Sequence, residues 1–455
     1  SKASSYSISG SLNFADLMTV SGNYNHEESG FHKLQQRLGT GNLYESYSTT
    51  IKLHPNIILP IRWGIKTPIT LNYSNSVSTP KYYPENPDVL TENETDIEEI
   101  QSRNETISIT TSFSKSTRSP NWLMKRTIDN ISISYSAINT NKSDSQIKNE
   151  TIQDYQIIGS YTYNWGKENY VSPFNFTKDW WIVGNILSQS RYYYSPDKFS
   201  ASIQFNENDT RTIQRDIEGT VKDYSFTMYR QFTLNHKFTK TLGSNYTRQI
   251  HSDLYEFEND KLKIIEDMDP GRVEALVESF TNTYKPDFLK WLNPNFTYNP
   301  TYNWNLNILD DIQSADVKSS TTFRTDIGLN LRDFIELIYT PENKGKSSPG
   351  RGRGRSRSSS SSNNNDKKIN IQNPIARYIL GKIHSVTSIL TSINSSYTYS
   401  TSHDYNNIRS DVSPSYLYRF GLQEFPLYEP EELYDTDNTS NNLVGSSYHM
   451  YDTDF

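Results

Sequence analysis

The sequence predicts an all-β fold: an antiparallel transmembrane β-barrel wall with long extracellular loops and one or two short helices. Three observations predict it. The 455 residues are only 34% apolar, yet 13% aromatic, with 33 tyrosines. A water-soluble chain of this length encloses enough interior to require ~45–50% apolar residues, glycine included. A barrel wall needs them on its lipid face alone and tolerates a polar lumen. Apolar and polar residues also alternate with period two in one segment after another, which puts them on opposite faces of strands. Finally, no run of ~18 apolar residues occurs, so no transmembrane helix competes with that reading.

The same arithmetic excludes other classes. Aromatic content is too high for a wholly disordered chain. With 45 basic and 52 acidic residues the net charge is −7, without the basic footprint of a nucleic-acid binder, so no nucleic-acid partner is expected. The absence of cysteine argues against a secreted eukaryotic domain and suits a cytosolic or bacterial envelope protein. The chain opens at Ser1 with no charged segment followed by an apolar one. Either a signal was removed or this is a piece of a longer protein, and the piece is the favoured reading because Tyr6 to Phe14 already reads as a strand.

Along the chain, Tyr6 to Phe14 reads as the first strand. Ile107, Ile109 and Phe113 then alternate with Thr106, Ser108, Thr110 and Ser112, and Ile131, Ile133, Tyr135 and Ala137 with Ser132, Ser134 and Ser136. Phe199, Ala201, Ile203 and Phe205 repeat the pattern, as do Phe232, Leu234, His236 and Phe238, and Trp304, Leu306 and Ile308. Long or charged connections are expected at 80–104, 139–153, 206–222 and 251–280, and short ones at 54–60 and 195–198, where Pro196 presets a turn. Residues 269–280 space Val273, Leu276 and Phe280 as a short helix would, after an Asp-Pro-Gly turn. Residues 373–390 begin with Pro374 and space Ile375, Ile379, Ile383 and Val386 helically, or else form the edge of a strand pair. Four regions follow: barrel strands and loops over 1–343, a disordered Arg/Ser/Asn-rich loop over 344–368 with net charge +7, further strands over 369–422, and an acidic flexible tail over 423–455. The basic loop reads as a solvated connection between two strands ahead of an arginine-rich nucleic-acid or anionic-surface arm.

No motif for chemistry emerges: no phosphate-binding glycine loop, zinc motif, nucleophile elbow or Cys/His cluster. Catalytic residues, cofactors and metals are therefore not assigned, and no enzymatic activity is expected. The carboxylates between 85 and 99 lack the calcium-loop spacing. Aromatic pairs are read instead as membrane-interface anchors, because amphipathic rings favour that level. Trp180 and Trp181 on one side and Tyr192, Tyr193 and Tyr194 on the other are expected to bracket one spanning strand. Its 12 steps, ~40 Å of extended chain, project to roughly 28 Å at ~45° tilt, close to the ~25 Å apolar band of such barrels.

Several motifs carry a resemblance. Ser78-Thr79-Pro80-Lys81-Tyr82-Tyr83-Pro84-Glu85-Asn86-Pro87-Asp88 resembles a "TTPKY-P-x-x-PD" segment of the SprA/Sov family, the giant outer-membrane translocons of type IX secretion; the matching positions are Thr79, Pro80, Lys81, Tyr82, Pro84, Pro87 and Asp88. Residues 119–126 leading into 131–136 look like that family's turn followed by a Ser-x-Ser-Tyr-Ser strand. Residues 291–294 leading into 298–304 are similar to its Trp-x-x-Pro aromatic strand, and residues 413–422 to its "PSW-x-F-x-FGL" strand. The matches run in order over most of the chain. The Arg/Ser-rich insert is not a family feature, and the fragment is far smaller than a family member.

The resemblance implies part of a very large barrel of 36 strands in the outer membrane of a Gram-negative bacterium. Its implied partners are the lipid bilayer, secreted cargo proteins, and plug or gate-capping proteins, and it implies a link to gliding motility. Two other readings stay open: another outer-membrane barrel (porin, transporter or assembly factor), and a soluble surface β-sandwich adhesin.

Overall fold

A computed structural model describes residues 3–31, 41–83, 88–91, 94–166, 169–176, 190–287, 291–309, 312–338, 375, 378–379, 381–383, 392–411, 413–427 and 445–454. The strands are β1 (Ser5–Phe14), β2 (Met18–Glu27), β3 (Asn42–Leu53), β4 (Ile65–Lys66), β5 (Ile69–Pro80), β6 (Ser102–Lys115), β7 (Ile131–Ser143), β8 (Ile147–Asn164), β9 (Tyr170–Val171), β10 (Tyr192–Tyr193), β11 (Lys198–Gln214), β12 (Thr220–Lys237), β13 (Leu242–Asp253), β14 (Arg272–Tyr284), β15 (Leu292–Leu309), β16 (Ile312–Asn330), β17 (Ser392–Arg409) and β18 (Gly445–Asp454). All but β9 and β10 form one 16-stranded sheet, in the order β1-β2-β3-β5-β6-β7-β8-β11-β12-β13-β14-β15-β16-β17-β18 with β4 beside β6. Every pairing is antiparallel and every long strand lies beside its sequence neighbour, an up-and-down meander.

Register carries the alternation across the sheet. One apolar row runs Leu12–Val20–Ile51–Leu71–Ile109–Ala137–Tyr155. Another runs Tyr163–Phe199–Leu234–Tyr246–Phe280. On the opposite face lie Ser11–Ser21–Thr50–Asn72–Ser108 and Ser132–Ser160–Ser202–Gln231–Gln249. β15 contains Pro294 and Pro300. Proline offers no N–H to a ladder. Beside Pro300 the β14–β15 ladder lapses between Ser279↔Thr301 and Asn282↔Tyr298 without a change of register, while the β16 side is continuous. The hydroxyl of Thr281 bridges that gap by donating to Asn299 Oδ1 at 2.7 Å.

Among the described residues the path has fifteen strands, an odd number, so β1 and β18 run the same way. Their edges cannot zip to each other antiparallel, and an all-antiparallel closure takes an odd number of further strands. In the described residues the sheet is open, and β1 is exposed along its whole length.

Several expectations are corrected. Residues 272–284 form β14, not a helix. The i, i+3, i+7 pattern there is overridden by pairing on both sides, and a bulge at His251/Ser252 shifts its alternation. The connections expected at 139–153 and 206–222 shrink to 144–146 and 215–219. Polar, charged residues there extend the strands instead, since a ladder needs only backbone groups. The motif at 413–422 holds a helical turn, Tyr416–Arg419, rather than a strand. The tail expected to be loose contributes β18, which pairs with β17 over Ser396↔Asp454 to Tyr405↔Gly445 and so satisfies an otherwise open edge. The described residues between 375 and 383 are helical. The basic loop 344–368 lies outside the described residues.

Candidate functional site: the two faces of the sheet

The two faces differ in chemistry. On the apolar face, large side chains stand exposed on strand after strand: Ile8 and Leu12 on β1, Ile107 on β6, Ile133 on β7 (45% exposed), Ile157 on β8, Phe232 and Leu234 on β12, Ile327 on β16. No second sheet packs on them among the described residues. They cluster toward the end of the sheet where β1 passes to β2, called here the near end. Toward the far end the same face becomes polar and charged: Glu45, Glu105, Gln153, Glu207 and Asp209. β8, β12, β15 and β17 each have 18 residues. About 9–11 tilted residues cross a hydrocarbon core, so the far halves are surplus to an apolar band.

The other face is a lattice of neutral polar groups bonded from strand to strand. Asn72 Nδ2 donates to Ser108 Oγ (3.1 Å), Gln156 Nε2 to Asn206 Oδ1 (3.0 Å), and the hydroxyls of Thr106 and Thr140 (3.2 Å) and of Ser320 and Ser402 (3.2 Å) pair. Two ion pairs lie on it, Lys318 with Asp404 at 3.0 Å and Arg324 with Asp326 at 2.9 Å, while Asp154 accepts from Asn208 Nδ2 at 2.5 Å. A recess of ≈ 540 Å³ lined by Ser9, Ser11, Ser21, Asn23, Ser48 and Thr50 opens on this face.

At the far end two loop segments cover the apolar face. Leu254 and Ile264 bury Phe226 and Met228. Residues 413–427 form a strap over β14 to β17. Tyr418 is fully buried against Tyr302, Ala315, Val317 and Ile408, donates its hydroxyl to His403 O (2.8 Å), and its carbonyl accepts from Ser319 Oγ (2.7 Å). Ser415 caps the turn, accepting from the Tyr418 amide. The guanidinium of Arg419 forms a two-pronged pair with Glu278, which Tyr246 also supports through its hydroxyl at 2.7 Å. Gly421 has φ +67, and a Cβ there would overlap Thr321 Oγ1.

Near-end connections are braced differently. Asp129 accepts from Lys115 and from the amide and hydroxyl of Ser119. Burial pushes its carboxyl up, but the ammonium and these hydrogen bonds outweigh burial and hold it at about 2.

The residues singled out by the sequence fall in two places. Thr79 and Pro80 end β5. The Lys81 amide donates to Gly41 O (3.0 Å), Tyr82 bridges to Leu90, and the Thr91 hydroxyl donates to the carbonyls of Pro80 and Lys81. Lys81 lies 5.6 Å over the Tyr82 ring. The motif thus ties off a far-end loop. Asp88 is exposed in a turn, and Pro84 and Pro87 lie outside the described residues. Tyr192 and Tyr193 do not end a spanning strand. They pair with Val171 and Tyr170 in a two-stranded ribbon, because the main sheet passes directly from β8 to β11. Tyr194 follows it, its amide donating to Asn169 O. Trp180 and Trp181 lie outside the described residues. His236, on the apolar face as expected, shares a 2.9 Å hydrogen bond with Tyr193 O.

Sequence reasoning missed the strap and the aromatic row Tyr161, Tyr163, Phe199, Tyr246 and Phe280. The alternation in 155–163 was the available signal for that row. No family model matches the chain, and no curated protein matches it.

Proposed function

We propose that the chain is a stretch of the wall of a protein-conducting β-barrel in the outer membrane of a Gram-negative bacterium, of the type IX translocon kind its motifs resemble. One observation carries the reading: a meander whose apolar face is exposed over many strands while its opposite face is a hydrogen-bonded lattice of Ser, Thr, Asn and Gln. Lipid is the solvent that suits the first face, and water the second. The work is steric. Neutral hydroxyls and amides wet a conduit without gripping the apolar surface of passing cargo, and matched ion pairs add little net field. Far-end strands and loops stand clear of the apolar band, where plug or gate-capping proteins and secreted cargo, including gliding adhesins, would meet the wall.

Fractionation of cells tests this. The protein is expected in the outer membrane, released only by detergent, and its loss is expected to leave folded cargo unexported. Recovery in detergent-free buffer as a soluble globule would remove the barrel reading. Membrane residence with normal export would leave a barrel of another kind.

A further inference from the structure

The topology sorts the charged residues. Alternating strand direction assigns every connection to one end of the sheet. Among the described residues, near-end connections carry 10 Lys and Arg against 6 Asp and Glu, a net +4. The described far-end connections carry 5 against 17, a net −12. The strands of the path are almost balanced, 15 against 16. The described connections are therefore bipolar along the strands, which a chain net charge of −7 conceals.

The near end also presents apolar groups beside its cations. In the connection from β3 to β5, Ile58 and Ile61 (94%) are exposed, with Trp63, next to exposed Arg62 and Lys66. In the connection from β6 to β7, the turn Trp122–Arg126 is exposed at every residue, Trp122 at 68%. Its Arg126 guanidinium lies 5.8 Å from the Trp122 ring. Tyr161 ties this turn to the apolar side of the sheet, donating to Arg126 O at 2.7 Å. Asp129, the one carboxylate of that connection, is already taken by Lys115. Tryptophan and aliphatic wedges flanked by Lys and Arg, continuous with an apolar band, match the chemistry of a phospholipid interface. Anionic headgroups attract such cations additively.

We propose that the near end is a headgroup-binding rim that seats the sheet on anionic phospholipid, with Arg62, Lys66, Lys125 and Arg126 engaging phosphates and Ile58, Ile61, Trp63 and Trp122 entering the interface. The acidic end then faces away from that leaflet, so the charge asymmetry sets the orientation of the wall. In an outer membrane the phospholipid leaflet is the periplasmic one. The inference rests on the barrel-wall reading and adds the lipid class and the orientation to it.

The test is flotation of the detergent-purified protein with vesicles of phosphatidylcholine alone or mixed with phosphatidylglycerol. At low salt, several-fold more protein is expected to float with the anionic vesicles. The excess should vanish at ~1 M salt, where the Debye length is ~3 Å. Each cation removed should reduce it by up to about fivefold, so the quadruple change Arg62→Gln, Lys66→Gln, Lys125→Gln, Arg126→Gln abolishes it. The matching Arg→Lys and Lys→Arg exchange retains it and controls for folding. Equal flotation with both vesicles overturns the headgroup rim and leaves the barrel wall standing. Flotation with neither overturns the wall, and the rim with it.

Discussion

Ile133 and Ser132 are adjacent in sequence and opposite in setting. Ile133 pairs with Phe113 and Gly159 on the exposed apolar face, whereas Ser132 shares a 2.6 Å hydroxyl bond with Ser160 on the polar face. A cation facing lipid at mid-depth costs ~2–4 kcal/mol, and one facing water far less. Ile133→Arg is therefore expected to lower the yield of membrane-inserted protein well below that of Ser132→Arg, with Ile109→Arg and Ser108→Arg as a second pair. Equal yields would contradict the facing. At Asp129 the prediction concerns pH. Its carboxyl is held at about 2, below the ordinary 3.8, so the folded loop binds fewer protons than the unfolded one between those values. Stabilisation is complete above pH ~3.8 and is lost as pH falls through about 2. Hydrogen exchange of the 119–130 amides should accelerate in that window, and exchange unchanged to pH ~1.5 would refute it. Sequence alone showed Asp129 as one more loop carboxylate. Its partner Lys115 is 14 residues away, across a turn that only folding closes.

The strap shows how an element's role departs from its local signal. Residues 413–422 combine aromatics with Pro414 and Gly421, and they read as a strand. The actual structure is a one-turn helix whose buried Tyr418 and Arg419 dock on four strands. The Glu278 and Arg419 side chains are 4% and 10% exposed. Removing one member of such a pair strands the other, at a cost of ~3–5 kcal/mol. Arg419→Ala is expected to release the strap, seen as faster chymotrypsin cleavage around Tyr416 and Leu422, while the sheet persists. Joint replacement, Glu278→Leu with Arg419→Met, should restore protection, because a well-packed apolar pair can stand in for a buried ion pair. Unchanged cleavage in Arg419→Ala would place the docking energy in Tyr418 alone. β14 teaches the complementary lesson. Helical spacing of three apolar residues gave way to two flanking ladders, since strand pairing on both sides satisfies every backbone group that a short isolated helix leaves open.

At the scale of the whole molecule, strand parity and charge bipolarity are properties of the path of the chain. The fifteen strands of the described path leave β1 and β18 parallel, so an all-antiparallel barrel, as proposed, closes only with an odd number of further strands. An exposed apolar band of this breadth marks an interaction surface, and fractionation tests the proposal that its partner is lipid. What the sequence determined by itself is the period-two code: the β class, which side chains share a face, and the polarity of each face follow from alternation, since side chains on a strand point to opposite sides regardless of neighbours. What only the tertiary structure decided is everything that depends on who lies beside whom. This includes the length of the strands beyond their apolar cores, the strap over β14 to β17, the pairing of β18, and the division of basic and acidic connections between the two ends. Those depend on register and strand direction, which are relations between residues tens of positions apart and leave no mark in any short stretch of sequence.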